Sequence, residues 1–173
     1  QFIPAQNQND ANGLRARQGA RPGRSAGDVS GGALAGIRVL EMGSYTTSPL
    51  AARNLGALGA YVVKAEPPAG ELSRASPPHR DGQSYFCTLS NSDKRSVVID
   101  LQTASGKALF RKLLSRADVF VENMKPGVLG RHRFSPDEIG AINPALVYCS
   151  VSGFGAGSAI RSPEIGPRTR RPP

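Results

Sequence analysis

Short runs of β-branched and aliphatic residues alternate, through the middle of this chain, with segments that carry helix start signals, and no other feature constrains the fold as tightly. The runs are Ile37 to Leu40, Tyr61 to Ala65, Val97 to Leu101, Val119 to Val121 and Leu146 to Val151. Several are apolar at successive positions, as expected of strands covered on both faces in a parallel sheet. Charged residues interrupt three of them, so the pattern is imperfect there. Strand, helix, strand in repetition implies right-handed crossovers and an α/β fold: a Rossmann-like, doubly wound, mainly parallel sheet.

Three helix starts can be read between the runs. Ser48-Pro49 supplies an N-cap hydroxyl and a Pro at the first helical position, with Ala51, Leu55 and Leu58 along one face and Gly59 as the stop. Thr103 caps a second helix, in which Leu109, Phe110, Leu113, Leu114 and Ala117 face inward and Lys107, Arg111 and Lys112 face out. Ser135-Pro136-Asp137-Glu138 reads as a capping box that opens a short helix ending near Ile142. Residues 67–84, PPAGELSRASPPHRDGQS, are too long and too rich in Pro, Gly and Ser for an ordinary crossover, and are expected as an exposed loop near the ligand edge.

The two ends are different material. The first 36 residues are rich in Gly, Ala, Gln, Asn and Arg without apolar periodicity and read as disordered, with Asp10 and Asp28 counting against an organelle-targeting peptide. The last fourteen, IRSPEIGPRTRRPP, interleave four Pro with Arg and admit no regular element. The formal net charge is +9, and these ends hold more than half of it: four Arg against two Asp, then four Arg against one Glu. With aromatic residues at only 6%, nothing argues for a nucleic-acid arm that stacks on bases. No apolar run approaches the ~20 residues of a membrane helix. Cys87 and Cys149 are too few for a disulfide scaffold and fall in no zinc spacing. The chain is expected to be reduced, free of metal and cytoplasmic, with a mitochondrial location as the alternative.

In an open α/β sheet, ligands bind beyond the carboxyl ends of the strands, where helix N-termini present free N–H groups. Three segments fall there: Gly43 to Pro49 after strand one, Glu122 to Gly127 after strand four, and Ser152 to Ser158 after strand five. The glycine-rich stretch at 153–157 matches neither GxGxxG nor a Walker loop, and reads as a mobile flap. From residue type alone, Lys94, Arg95, Asn123 and Lys125 are solvated surface and loop residues. His79 and His132 read as surface residues, and the two cysteines as small core side chains. No nucleophile–base–orienter set can be assembled.

Five segments taken together resemble the class III CoA-transferase family, which includes formyl-CoA and L-carnitine CoA-transferases and, more distantly, α-methylacyl-CoA racemases. They are LAGIRVLEMG at 34–43, SPLAARNLGALGAYVVKAEPP at 48–68, NSDKRSVVIDLQTASGKAL at 91–109, ADVFVENMKPGVL at 117–129 and INPALVYCSVSGFG at 142–155. The resemblance covers about 34–158 and implies that acyl-CoA binds a Rossmann-like domain. It implies that Tyr45, Thr46 and Thr47 line the CoA cleft, that Lys94 lies near the CoA phosphates, and that Asn123 and Met124 contact the nucleotide or pantetheine. Lys125 would offer a cation beside them, and Gly153 and Gly155 would belong to the loop leading to the active site. Thr47 and Ser48 depart from the small residues usual before the Pro, and Asp93 replaces the usual Asn. CoA itself suits such a cleft, with phosphates for Lys and helix N-termini and a long arm for an apolar groove.

In that family an Asp shortly after the SGFG segment attacks the thioester, giving an acyl-aspartyl anhydride and then an aspartyl-CoA thioester. No Tyr-Asp segment follows Ser158, and the one acid there, Glu164, lies in no recognisable motif, so no catalytic residue is assigned. The resulting expectation has three parts: a disordered segment at 1–33, a Rossmann-like CoA-binding domain at 34–158 and a Pro/Arg-rich tail at 159–173. Its function is read as the N-terminal portion of an enzyme that transfers CoA between carboxylic acids, inactive alone. A CoA-binding module without turnover, or part of an acyl-CoA racemase, is the alternative. Coenzyme A or acyl-CoA and a carboxylic acid are the expected small-molecule partners, without metal, nucleic acid or membrane; a homodimer is the family's assembly, doubtful for this chain.

Overall fold

The computed structural model describes residues 31–153. The expectations for the two ends, for Gly155 and for the glycine-rich loop past Gly153 lie outside the described residues. In chain order the elements are β1 (Arg38–Met42), α1 (Thr47–Ala57), β2 (Tyr61–Glu66), β3 (His79–Arg80), β4 (Gln83–Ser84), α2 (Tyr85–Asn91), β5 (Arg95–Val98), α3 (Ala104–Leu114), β6 (Val119–Glu122), α4 (Val128–Arg131), α5 (Pro136–Ile142) and β7 (Val147–Ser150). A 3-10 turn at Leu72–Ala75 precedes β3.

Five strands form one sheet in the order β5-β2-β1-β6-β7, every neighbouring pair parallel. The doubly wound α/β expectation therefore holds. Successive residues of a strand point to opposite faces, so the apolar runs feed two layers at once. On one face Val39, Val62 and Val121 pack with Ala52 of α1. On the other, Leu40, Ala65 and Phe120 meet Phe110 and Leu114 of α3, with Ile139 of α5 and Phe134 just before that helix. Phe110 stands edge-on to both Phe120 and Phe134, with ring centres 5.6 and 4.8 Å away, the arrangement that aromatic quadrupoles favour.

The route of the chain fixes where a ligand can sit. From β1 it runs through α1 to β2 on one side; from β5 it returns through α3 to β6, on the other side of β1. The connections leaving β1 and β6 therefore diverge, and a crevice opens between their carboxyl ends. Gly106 sets the third helix close to the sheet edge: a Cβ there would strike the Asp100 carbonyl. Its amide is capped by the Thr103 hydroxyl at 3.0 Å, and Ser135 and Glu138 form the expected reciprocal box.

Several local expectations are corrected. Helix α1 begins at Thr47, so Ser48 lies inside the first turn, and its hydroxyl donates inward to the Val121 carbonyl at 3.2 Å. Leu58 and Leu109, expected on buried faces, are exposed: Leu58 is the C-cap of α1, past its last turn, and the buried stripe of α3 runs through Gly106, Phe110 and Leu114. Strand β5 starts at Arg95, two residues before the apolar run. Residues 67–84 fold into the 3-10 turn and the β3–β4 hairpin, and they bury Glu71, Ser73 and Ser84. Helices α2 and α4 have no counterpart in the sequence reading. Cys87 is buried as expected, whereas Cys149 is exposed, on the sheet face away from Tyr148 at the edge strand.

Candidate functional site

At the crevice, the β1–α1 turn and the β6–α4 loop are joined by one side chain. Asn123 accepts the Ser44 N–H on Oδ1 at 2.9 Å, while its Nδ2 donates to the Ser44 carbonyl and to the Thr47 hydroxyl, each at 2.9 Å. Gly43 leaves the room for this: a Cβ there would lie 2.5 Å from Asn123 Oδ1 and from Ser48 Cβ. Tyr45 follows with φ 61°, a left-handed conformation that side chains other than glycine, Asn and Asp seldom take. Its ring is half exposed and lies 6.5 Å from that of Phe86 on α2. Thr46 and Thr47 stand exposed at the start of α1, where no side chain caps the helix.

Beneath this turn lies a buried group of four charges. Glu41 and Lys64 occupy paired positions of β1 and β2, on the face covered by α1. Lys64 Nζ donates to Glu41 at 3.0 and 3.1 Å and to the Gly43 carbonyl at 2.9 Å, with Glu71 Oε2 at 3.6 Å. Lys94 Nζ reaches the same Glu41 carboxylate at 3.3 Å, the Pro49 carbonyl at 2.7 Å and Asn91 Oδ1 at 2.8 Å. Two acids and two bases leave the group formally neutral, which is how buried charges escape a desolvation cost of several kcal/mol each. Burial pulls the Lys94 ammonium below the usual lysine value, with the charge of Glu41 opposing it.

Two further acids close the edges of the site. Burial would raise Glu66, but hydrogen bonds from Arg74 and Ser96 and the Arg74 charge outweigh it and hold the carboxyl at about 2. Its contacts are Arg74 at 2.7 and 2.9 Å and the Ser96 hydroxyl at 2.7 Å. Glu122, at the end of β6, accepts the Met124 N–H at 2.6 Å and the Tyr148 hydroxyl at 2.9 Å, so it fixes the backbone just after Asn123. Burial and that carboxylate push Tyr148 up to about 12.

A cavity of about 220 Å³ opens at the carboxyl edge beside this turn. Met42, Ala65, Ile99, Leu101 and Met124 give it apolar walls; Ser44, Asp100, Gln102 and His132 give it polar groups. His132 is half buried, not a surface residue, and Nδ1 lies 3.1 Å from the Leu101 carbonyl. A carbonyl can only accept, so Nδ1 carries the hydrogen and Nε2 of the neutral ring is left as an acceptor. A larger groove of about 530 Å³ between α3 and α5, lined by Arg111, Lys112 and Ser115, lies at the amino ends of the strands, away from the crevice.

The structure thus brings together Tyr45, Thr46, Thr47, Asn123 and Met124, and sets Lys125 exposed just beyond them. Gly153 is exposed past β7, whose continuation is held to β6 by the Val151 N–H on the Glu122 carbonyl at 2.8 Å. Lys94 enters from the amino end of β5, but the side chain is only 2% exposed and its charge is spent behind the turn, so it is not the solvated residue that its type suggested. Glu41, Lys64, Glu71 and Glu122 were not singled out from the sequence. The signal for two of them was present: an acid and a base interrupt neighbouring apolar runs at the same depth, RVLE and YVVK.

A doubly wound sheet with the β1–α1 turn and an Asn clamp at its reversal point belongs to the class of open α/β folds, in which ligands bind beyond the carboxyl ends of the strands. Residues 34–168 match the model of CoA-transferase family III, and the chain belongs to that family. It is 43% identical to the formyl-CoA:oxalate CoA-transferase of Streptomyces avermitilis over 126 residues, covering 72% of this chain and 31% of that enzyme. It is 39% identical to the succinate–glutarate CoA-transferase of Agrobacterium fabrum over 130 residues, covering 70% and 32%. Among solved structures, a CAIB/BAIF family protein from Brucella suis matches with TM-score 0.70 and 34% identity, covering 74% of this chain and 35% of that one. The chain spans about a third of the length of the curated relatives it matches.

Proposed function

We propose that the described residues form the coenzyme A half of a site that moves CoA from an acyl-CoA to a carboxylic acid. The observation that carries this reading is that Asn123 joins the Gly43–Thr47 turn to the Asn123–Lys125 loop beside a cavity at the carboxyl edge, to which Gly43, Ser44 and Met124 contribute walls. Phosphates would meet Lys125 and the uncapped N–H groups at the start of α1, where the helix dipole favours negative charge. The apolar arm would lie along Met42, Ile99 and Met124. Tyr45, Thr46 and Thr47 would line the cleft, with Gly153 opening the loop that leads to the active site. Lys94 would act from behind, by holding Glu41 and the first turn of α1 in place.

The buried acids Glu41, Glu66, Glu71 and Glu122 are each held by at least two hydrogen bonds. Their role here is to shape the cleft, and this reading assigns none of them the attack on the thioester. The names of the relatives make small dicarboxylic acids such as oxalate or glutarate the acceptors to try first.

Calorimetric titration of the whole chain with CoA tests the binding half of the reading. Saturable heat that weakens about tenfold with 3′-dephospho-CoA or with added salt supports a phosphate-reading cleft; absence of heat with CoA overturns it. Incubation with formyl-CoA and oxalate then tests the transfer half: formation of oxalyl-CoA supports it. CoA binding without any transfer identifies a binding module and overturns transfer by this chain alone.

A further inference from the structure

We propose that Glu71 is a positioning residue for the β1–α1 turn, delivered to it by the β2–α2 connection; the inference rests on the reading of that turn as part of the CoA cleft. The connection spanning residues 67–84 is the segment that an ordinary crossover does not need, and its acid is almost wholly buried. Both oxygens are fully engaged. Oε1 accepts the Tyr45 N–H at 2.8 Å and the Ser73 N–H at 3.3 Å. Oε2 receives Asn91 Nδ2 at 3.1 Å and faces Lys64 Nζ at 3.6 Å and Cys87 Sγ at 3.9 Å.

The bond to Tyr45 matters because of what the backbone does there. With φ 61° at a Tyr, the turn holds a strained conformation that persists only where neighbours enforce it. Glu71 supplies that enforcement by taking the N–H of the strained residue. One residue earlier, Asn123 takes both main-chain polar atoms of Ser44. The turn is therefore gripped from β6 on one side and from the inserted connection on the other. The same connection also leads into α2, which sets Phe86 against the Tyr45 ring, so its length serves to carry two groups back to one residue of the turn.

The test combines amide exchange with binding in the full chain. In Glu71→Ala the Tyr45 amide should lose about tenfold or more of its protection beyond the loss that the Val39 amide in the core reports for the whole fold, and the dissociation constant for CoA should rise by about that excess factor. A purely structural role would lower both amides by the same factor, and that result overturns the proposal. A second arm uses the backbone argument itself. Glycine adopts positive φ without penalty, so the loss of affinity caused by Glu71→Ala should shrink several-fold in a Tyr45→Gly background. An undiminished loss there contradicts positioning through Tyr45. If the unaltered chain does not bind CoA at all, the function proposed above fails, and the exchange comparison alone still decides whether Glu71 fixes the turn.

Discussion

Asn123 holds Ser44 by both of its main-chain polar atoms, the N–H on Oδ1 and the carbonyl under Nδ2, each at 2.9 Å. The two residues come from loops that follow β1 and β6, the strands on either side of the point where the sheet reverses its order. An amide side chain is the one group with a donor and an acceptor at the spacing needed to complete such a pairing. Through it, the position of the turn is set by the position of the β6 end, and the cleft wall becomes a single unit.

Removing that clamp is expected to cost stability and binding together. Asn123→Ala leaves the Ser44 N–H without its acceptor, and should lower unfolding free energy by about 1–3 kcal/mol in a urea titration. Asn123→Asp keeps an acceptor for the N–H but turns a carboxylate toward the Ser44 carbonyl, so it should recover little of the affinity for CoA.

Gly43→Ala tests the same contact from the opposite side. The added methyl would lie 2.5 Å from Asn123 Oδ1 and from Ser48 Cβ. Overpacking of this kind costs about 1–3 kcal/mol. The expected result is a lower melting temperature together with weaker CoA binding, read by calorimetry and titration on the same sample.

Lys64→Met should be among the most damaging single changes. It deprives the Gly43 carbonyl of its donor and leaves the buried Glu41 with Lys94 as its one remaining cation. Breaking a buried pair in this way costs about 3–5 kcal/mol. Arg38→Ala opens an ion pair with Asp118 in which the arginine is 45% exposed, and should cost less than about 1 kcal/mol in the same urea assay.

The Glu66–Arg74 pair predicts an acid-side loss of stability. Glu66 sits at about 2 in the fold against an ordinary 4.5, so the folded chain binds this proton less tightly than the unfolded chain does. Its contribution is complete above about pH 4.5 and is lost as pH falls from there toward 2. Burial would raise Glu71 as well, but hydrogen bonds from Ser73 and Tyr45 and the charge of Lys64 outweigh it, so its contribution too is lost as pH falls below the ordinary carboxylate value. Urea midpoints measured from pH 6 to pH 2.5 should fall for the unaltered chain and fall less steeply for Glu66→Gln.

The centre of the sheet was legible because β1, β2 and β6 are covered on both faces and show as continuous apolar runs such as YVV and VFV, whereas the edge strands β5 and β7 are largely exposed. Thr103 and the Ser135–Glu138 box announced two helices by local chemistry alone. The start of α1 was misplaced because Ser48-Pro49 has the form of a cap, whereas the hydroxyl is used by Val121 on a strand 73 residues away. The same limit hid Glu71: a Pro- and Gly-rich segment reads as exposed loop until Asn91, Lys64 and Tyr45 are seen to surround its acid. The type of Lys94 suggested solvent, and only the offset of β5, which begins opposite Val63, brings it within reach of Glu41.

The most direct measurement is amide chemical-shift mapping of the whole chain on titration with CoA. The account predicts that shifts concentrate at Gly43–Thr47 and Asn123–Lys125, on the two walls joined by the Asn123 clamp. Shifts confined to Arg111, Lys112 and Ser115 in the groove between α3 and α5, or none at saturating CoA, would contradict it.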